Sequence, residues 1–147
     1  MTVPPPPAFR VMDVESIALE LPAQYPLVTL VESEPPLRNL VFPVGLSEGT
    51  ALALAFYKMT SPRPLTHELF AQVLGQVRID VIAVRVTGRE QGNYLAELDL
   101  MAPGGRERVP CRPSDGLVLA LRMPVPAPIL VDERLFGGSE DVAPQEH

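Results

Sequence analysis

Two neighbouring stretches decide how this chain folds: Ile79-Asp80-Val81-Ile82-Ala83-Val84-Arg85-Val86 and Tyr94-Leu95-Ala96-Glu97-Leu98-Asp99-Leu100. The first is dense in β-branched residues. The second puts Tyr94, Ala96, Leu98 and Leu100 on one side of a period-two pattern and Glu97 and Asp99 on the other. A polar turn from Gly88 to Gly92 separates them, so they read as antiparallel strands. Glu97 and Asp99 are expected on a wet face as solvated charges. Pro103-Gly104-Gly105 turns the chain again into Glu107, Val109 and Cys111, a third strand that completes a meander.

Working outward from this meander, the first third of the chain also reads as strands. Met12 and Val14 share one parity while Ile17, Leu19 and Leu21 share the other, which requires a bulge near Glu15-Ser16. Leu27 to Val31 is a short β-rich run, Glu34 to Pro36 is a turn, and Leu40, Phe42 and Val44 follow at period two.

Three helices are expected. Ser47 is the expected cap of the first, with Glu48 in its opening turn and Ala51 to Phe56 behind it. Ser61-Pro62-Arg63-Pro64 halts the chain, and Thr66 caps a second helix whose Leu69, Phe70, Val73, Leu74 and Val77 form a stripe expected in the core. Ser114 caps a third, running through Leu117, Val118, Leu121 and Arg122. Pro124, Pro126 and Pro128 end it before a last strand at Ile129 to Val131. The sum is an α+β fold with a mainly antiparallel sheet of about six to seven strands and three helices.

At 147 residues and 46% hydrophobic content, one domain with a real core is expected. Residues 11–136 read as the folded block, 1–10 as a proline-rich disordered tail around Pro4 to Pro7, and 137–147 as an acidic disordered tail. Eighteen acidic against twelve basic residues give a charge of -6, which excludes global attraction to nucleic acid or anionic membranes. The lone Cys111 cannot form an intramolecular disulfide and suits a reducing compartment, so a cytoplasmic location is expected. No run approaches a membrane span, and prolines interrupt the place where a signal peptide needs an apolar core.

The chemistry-bearing phrases are Arg63-Pro64-Leu65-Thr66-His67-Glu68 and Arg112-Pro113-Ser114-Asp115-Gly116. Each sets a guanidinium, a proline and a hydroxyl residue at a helix start, where anions are commonly held. An internal bridge from Arg63 or Arg112 to Glu48 or Asp115 explains the same residues without a ligand. His67 lies in a first helical turn, where the dipole opposes a positive ring, so a neutral imidazole that moves a proton is expected. His147 is remote in the tail, so zinc spacing is missing. Among the acids, Glu48, Glu68, Glu97, Asp99 and Asp115 are best placed, and converging carboxylates there would bind magnesium or manganese. Walker, dinucleotide and Gly-x-Ser-x-Gly signatures are absent. With 5% aromatics and no tryptophan, no stacking platform for single strands is visible either.

Pro43-Val44-Gly45 through Glu48, the phrase Arg63 to Leu69, and Arg112 to Asp115 with Leu119-Ala120-Leu121-Arg122 resemble the bifunctional nuclease family. The likeness keeps their order and spacing and spans about Met12 to Phe136. Gly49 and Gly116 stand where that family usually has alanine, and Pro110-Cys111 replace a common Asp-Ala. The resemblance implies an α+β fold, a homodimer, and nuclease activity on DNA and RNA. It singles out Glu48, Arg63, Thr66, His67, Arg112, Ser114 and Asp115. On this reading His67, Glu48 and Asp115 are catalytic, Glu48 and Asp115 hold a magnesium or manganese ion, and Arg63, Thr66, Arg112 and Ser114 bind the anion. The alternative is a non-enzymatic dimeric module that binds a small anionic ligand or a protein partner with the same residues.

Overall fold

The computed structural model describes residues 8–19, 22, 24–137 and 140–144; Pro4 to Pro7, Leu21 and His147 lie outside them. In chain order the elements are β1 (Phe9–Ala18), β2 (Leu27–Glu32), β3 (Asn39–Pro43), α1 (Leu46–Phe56), α2 (Thr66–Gln76), β4 (Asp80–Glu90), β5 (Asn93–Ala102), β6 (Gly105–Cys111), α3 (Pro113–Arg122) and β7 (Ile129–Asp132). A 3-10 turn follows at Glu133–Leu135. The strands make one seven-stranded sheet in the order β3-β2-β1-β7-β4-β5-β6. Every pairing is antiparallel except β4 with β7. The parallel pair arises because β7 returns after α3 and enters the middle of the sheet.

The register follows the alternation in the sequence. Val84 stands opposite Leu98 and Ile129, and Val86 opposite Ala96 and Val131, so these side chains share one face. That face joins Leu52, Ala55, Leu117 and Val118 in a single core. The bulge expected in the first strand is present between Val14 and Ser16. It lets Met12 and Ile17 both contribute to the core side. The sheet is strongly curled: Phe42 of β3 and Tyr94 of β5 lie at first and sixth strand positions, yet their rings meet edge-on at 5.8 Å. Helix α3 packs inside this curve against α1, α2, β4 and β5.

Several expectations need correction. The helix caps are Gly45, Leu65 and Arg112, each extended and without a side-chain cap bond, rather than Ser47, Thr66 and Ser114. At α3 the cause is Pro113, which takes the first helical position and forces the residue before it out of helical geometry. The α2 stripe is not core: Leu69, Phe70, Val73 and Val77 are 50–53% exposed, and only Leu74 turns inward. Helix α2 packs chiefly on α3, so only one narrow edge of it is covered. Asp99 is not a solvated charge; it is 1% exposed and accepts from Arg106 Nη2 at 2.6 Å and Arg85 Nη2 at 3.3 Å. The arginine stems of β4 and β6 close over it.

The ends of the chain are also more engaged than their composition suggests. Strand β1 begins at Phe9, inside the stretch read as a tail. Arg10 bonds the fully buried Glu32 at 2.7 Å, and Arg38 bonds it from the other side. At the other end, Val142 and Arg89 exchange both backbone hydrogen bonds at 2.8 Å. The Arg89 side chain donates to the Glu140 carbonyl at 2.6 and 3.0 Å. Gly88 makes this approach feasible, because a Cβ there would sit 2.5 Å from the Val142 oxygen.

Candidate functional site

The amino ends of all three helices converge on one place. Glu48 comes from the first turn of α1, His67 from the first turn of α2, and Arg112 and Asp115 from the cap and first turn of α3. His67 Nε2 lies 2.8 Å from Asp115 Oδ1. Arg112 donates from Nε to Asp115 Oδ2 at 2.9 Å and from Nη2 to Oδ1 at 3.2 Å, a two-pronged grip. Its Nη1 lies 3.1 Å from Glu48 Oε1. Because Pro113 holds Arg112 extended, the guanidinium folds back over its own helix start, where Asp115 complements the dipole.

These contacts set the charge states. Burial raises the Asp115 carboxyl, but the hydrogen bonds from Arg112 and His67, with the Arg112 charge, outweigh it and hold the group below its ordinary range. The hydrogen bond and charge of Asp115 push the Arg112 guanidinium further up, with Glu48 adding to both effects. Burial, reinforced by the Asp115 charge, pushes the Cys111 thiol up to about 11, so it is a structural thiol and not a nucleophile. A neutral His67 that donates its Nε2 proton to Asp115 keeps Nδ1 as an open acceptor. The ring and the carboxylate are both partly accessible to water, which a proton-transfer group requires.

Of the residues singled out in the sequence, Glu48, His67, Arg112 and Asp115 are therefore brought together. Arg63 and Thr66 are not part of this contact chain. Both are exposed, and their side chains make no hydrogen bond or ion pair with the described residues. Ser114 lies at the edge of the group, 6% exposed, with no hydrogen-bond partner among the described residues. Glu68 serves another purpose: it is buried and takes Arg122 Nη2 at 3.5 Å, tying α2 to α3.

The arrangement can be tested against a divalent ion. Glu48 and Asp115 both face the Arg112 guanidinium, whose positive charge fills the place between them. Among the described residues no group of three or more His, Cys, Asp or Glu side chains gathers to hold an ion. As arranged, this donor set fits a guanidinium and does not fit magnesium or manganese.

Beside Arg112 opens a cavity of about 250 Å³ whose walls include Phe42, Pro43, Gly45, Asn93, Tyr94 and Ser114. Gly45 forms part of its floor because Glu48's carboxylate lies where a Cβ would go. Sequence reasoning missed this cavity, since its walls come from β3 and from the β4–β5 turn, which meet only because the sheet curls. The one local signal was the Gly92-Asn93 turn, which reads as a reversal and nothing more.

A family model described as "Bifunctional nuclease domain" matches residues 28–141. Two relatives from Mycobacterium tuberculosis are each 32% identical over 133 residues. They are "Uncharacterized protein MT1877" of strain CDC 1551 / Oshkosh and "Uncharacterized protein Rv1829" of strain ATCC 25618 / H37Rv. The match covers 90% of this chain and 77% of each relative. Among the described residues, no helix is long and apolar enough to cross a membrane.

Proposed function

The chain belongs to the bifunctional nuclease domain family, and from that premise we propose that it cleaves phosphodiester bonds of DNA or RNA at the place where its three helix starts meet. The observation that carries the reading is the 2.8 Å contact between His67 Nε2 and Asp115, itself held by Arg112. Asp115 fixes the imidazole so that Nδ1 takes a proton from the attacking water or hydroxyl. Arg112, with 65% of its side chain exposed, meets the phosphate and offsets charge that grows in the transition state. The phosphate displaces Glu48 rather than Asp115, because Glu48 holds the guanidinium at one nitrogen and Asp115 holds it at two.

The test is cleavage of labelled single-stranded DNA and RNA by purified protein with magnesium, manganese or chelator, beside identically prepared variants. His67→Ala is expected to lose on the order of 100-fold or more in rate, the usual range for a general base. Asp115→Asn loses less, through misoriented imidazole. Glu48→Gln frees Arg112 and lowers KM, whereas a carboxylate that held an essential ion would be lost with the activity. Equal cleavage by wild type, His67→Ala and Asp115→Asn would mean a contaminant and end the proposal.

A second reading concerns assembly. Leu65, Leu69, Val73 and Val77 recur every fourth residue along the exposed side of α2, with Phe70 beside them. This favours a homodimer in which two copies of α2 cover each other. Sedimentation equilibrium is expected to give a dimer for the wild type and a monomer for Phe70→Asp. A wild-type monomer at tens of micromolar overturns it.

A further inference from the structure

The cavity beside Arg112 is not used by the proton-transfer chemistry, and its chemistry is specific. Phe42 and Tyr94 contribute aromatic surface, and Pro43 and Pro113 contribute flat apolar walls. Asn93 offers an amide with both donor and acceptor. At about 250 Å³ the space falls below the range of about 300–1,000 Å³ usual for drug-sized ligands, so it suits one small planar group. The ring of Tyr94 is fixed from behind: Arg89 donates to its hydroxyl at 3.3 Å and is itself pinned to the Glu140 carbonyl. The chain's last described segment thus holds a cavity wall rigid.

A second observation points to an occupant. Ser114, 6% exposed, lines the cavity at the second position of α3, and its hydroxyl has no partner among the described residues. A hydroxyl that reaches the cavity without a protein partner can donate to and accept from a polar ligand atom that arrives there. It stands next to the free backbone N–H groups at the helix start and next to the Arg112 guanidinium, which together favour a phosphate.

We propose that this cavity is a subsite for one unstacked nucleobase, whose own phosphate reaches Arg112, Ser114 and the start of α3. The base lies against the joined Phe42–Tyr94 surface and the flat walls of Pro43 and Pro113, with Asn93 at its polar edge. The inference rests on the nuclease reading and sharpens it, because a base stacked and paired in a duplex cannot enter a concave pocket without being pulled out. The substrate is therefore an unpaired strand.

The experiment uses the full chain and two probes, a nucleoside 5′-monophosphate and ribose 5-phosphate, followed by calorimetry and by NMR shifts of Tyr94 and Asn93. The nucleotide is expected to bind about tenfold more tightly than the sugar phosphate, the scale of one stacked base. Asn93→Ala, at an exposed turn, and Ser114→Ala are each expected to reduce that affinity several-fold while leaving the circular dichroism spectrum unchanged. Unstructured oligonucleotides are expected to be cut at least about tenfold faster than the same sequence in a duplex. Equal affinity for the two probes, or equal rates on strand and duplex with His67 still required, overturns the base subsite and leaves the nuclease reading standing. Nucleotide binding that shifts Tyr94 without any His67-dependent cleavage upholds the subsite and removes the nuclease reading instead.

Discussion

In α3, Ser114 and the whole run from Gly116 to Ala120 are buried, whereas in α2 only Glu68 and Leu74 are. Both helices carry apolar residues at spacings of three and four, and both present a charged first turn to the same site. The difference lies in what surrounds them. Helix α3 lies in the hollow of a curled sheet with helices on its flanks, while α2 packs chiefly on α3 and leaves its other side to solvent. Amphipathic spacing states which face of a helix resists water; it does not state whether the same chain covers that face.

The sharpest way to break this contrast is to truncate one leucine in each helix. Leu117→Ala removes a fully buried side chain and is expected to cost about 3–5 kcal/mol in chemical denaturation. Leu69→Ala, on the exposed side of α2, is expected to change the stability of the monomer by no more than about 0.5 kcal/mol. Its effect belongs to self-association. A large loss at Leu69 in a dilute monomeric sample would mean that α2 is covered from within the chain.

A smaller effect separates the two helices at their glycines. A Cβ at Gly116 would fall 2.5 Å from Val84 Cγ2 and 3.1 Å from Cys111 Sγ, so Gly116→Ala overpacks the helix against β4. A net loss of about 1–3 kcal/mol is expected despite alanine's better helix propensity. Gly75 in α2 has nothing within 4 Å of its missing Cβ, so Gly75→Ala meets no obstacle. It is expected to stabilise by about 0.5–1 kcal/mol, measured in the same denaturant series.

The same contrast explains what was legible in the sequence. Strand alternation from Tyr94 to Leu100 and the parity switch around Glu15-Ser16 are local patterns, and they fixed the meander and the bulge. His67, Arg112, Asp115 and Glu48 were visible because their phrases resemble a known family and because helix starts favour such residues. The fate of the α2 stripe, the burial of Asp99 and the cavity at Tyr94 depend on how far the sheet curls. That curvature is a sum over seven strands, and no single stretch encodes it. The clamp of Arg89 on the Glu140 carbonyl was invisible for another reason: a backbone acceptor carries no residue identity.

The smallest effect, and the one that divides the two helices most finely, is in acid. Helix α2 is joined to α3 through two polar ties, His67 to Asp115 and Glu68 to Arg122. The Asp115 carboxyl is depressed below its ordinary 3.8, so its contribution is complete above that pH and drains away as pH falls through the folded value. Glu32, on the sheet, is lowered from 4.5 to about 2, chiefly by the hydrogen bond from Arg38 against an opposing burial effect. Its contribution also starts to fall below 4.5, but part of it survives until about pH 2. Both contributions are lost as the carboxyls protonate, but the one at Asp115 belongs to the junction of α2 with α3 and the one at Glu32 to the sheet. Because α2 has little packing beyond α3 to hold it, native-state hydrogen exchange as pH falls below 3.8 is expected to show α2 amides losing protection before those of β1, β2 and α3, and Asp115→Asn to bring that early opening to neutral pH. Loss of protection in all elements together, at one pH, would mean that α2 is held by packing as firmly as α3 is, and the contrast between the two helices would collapse.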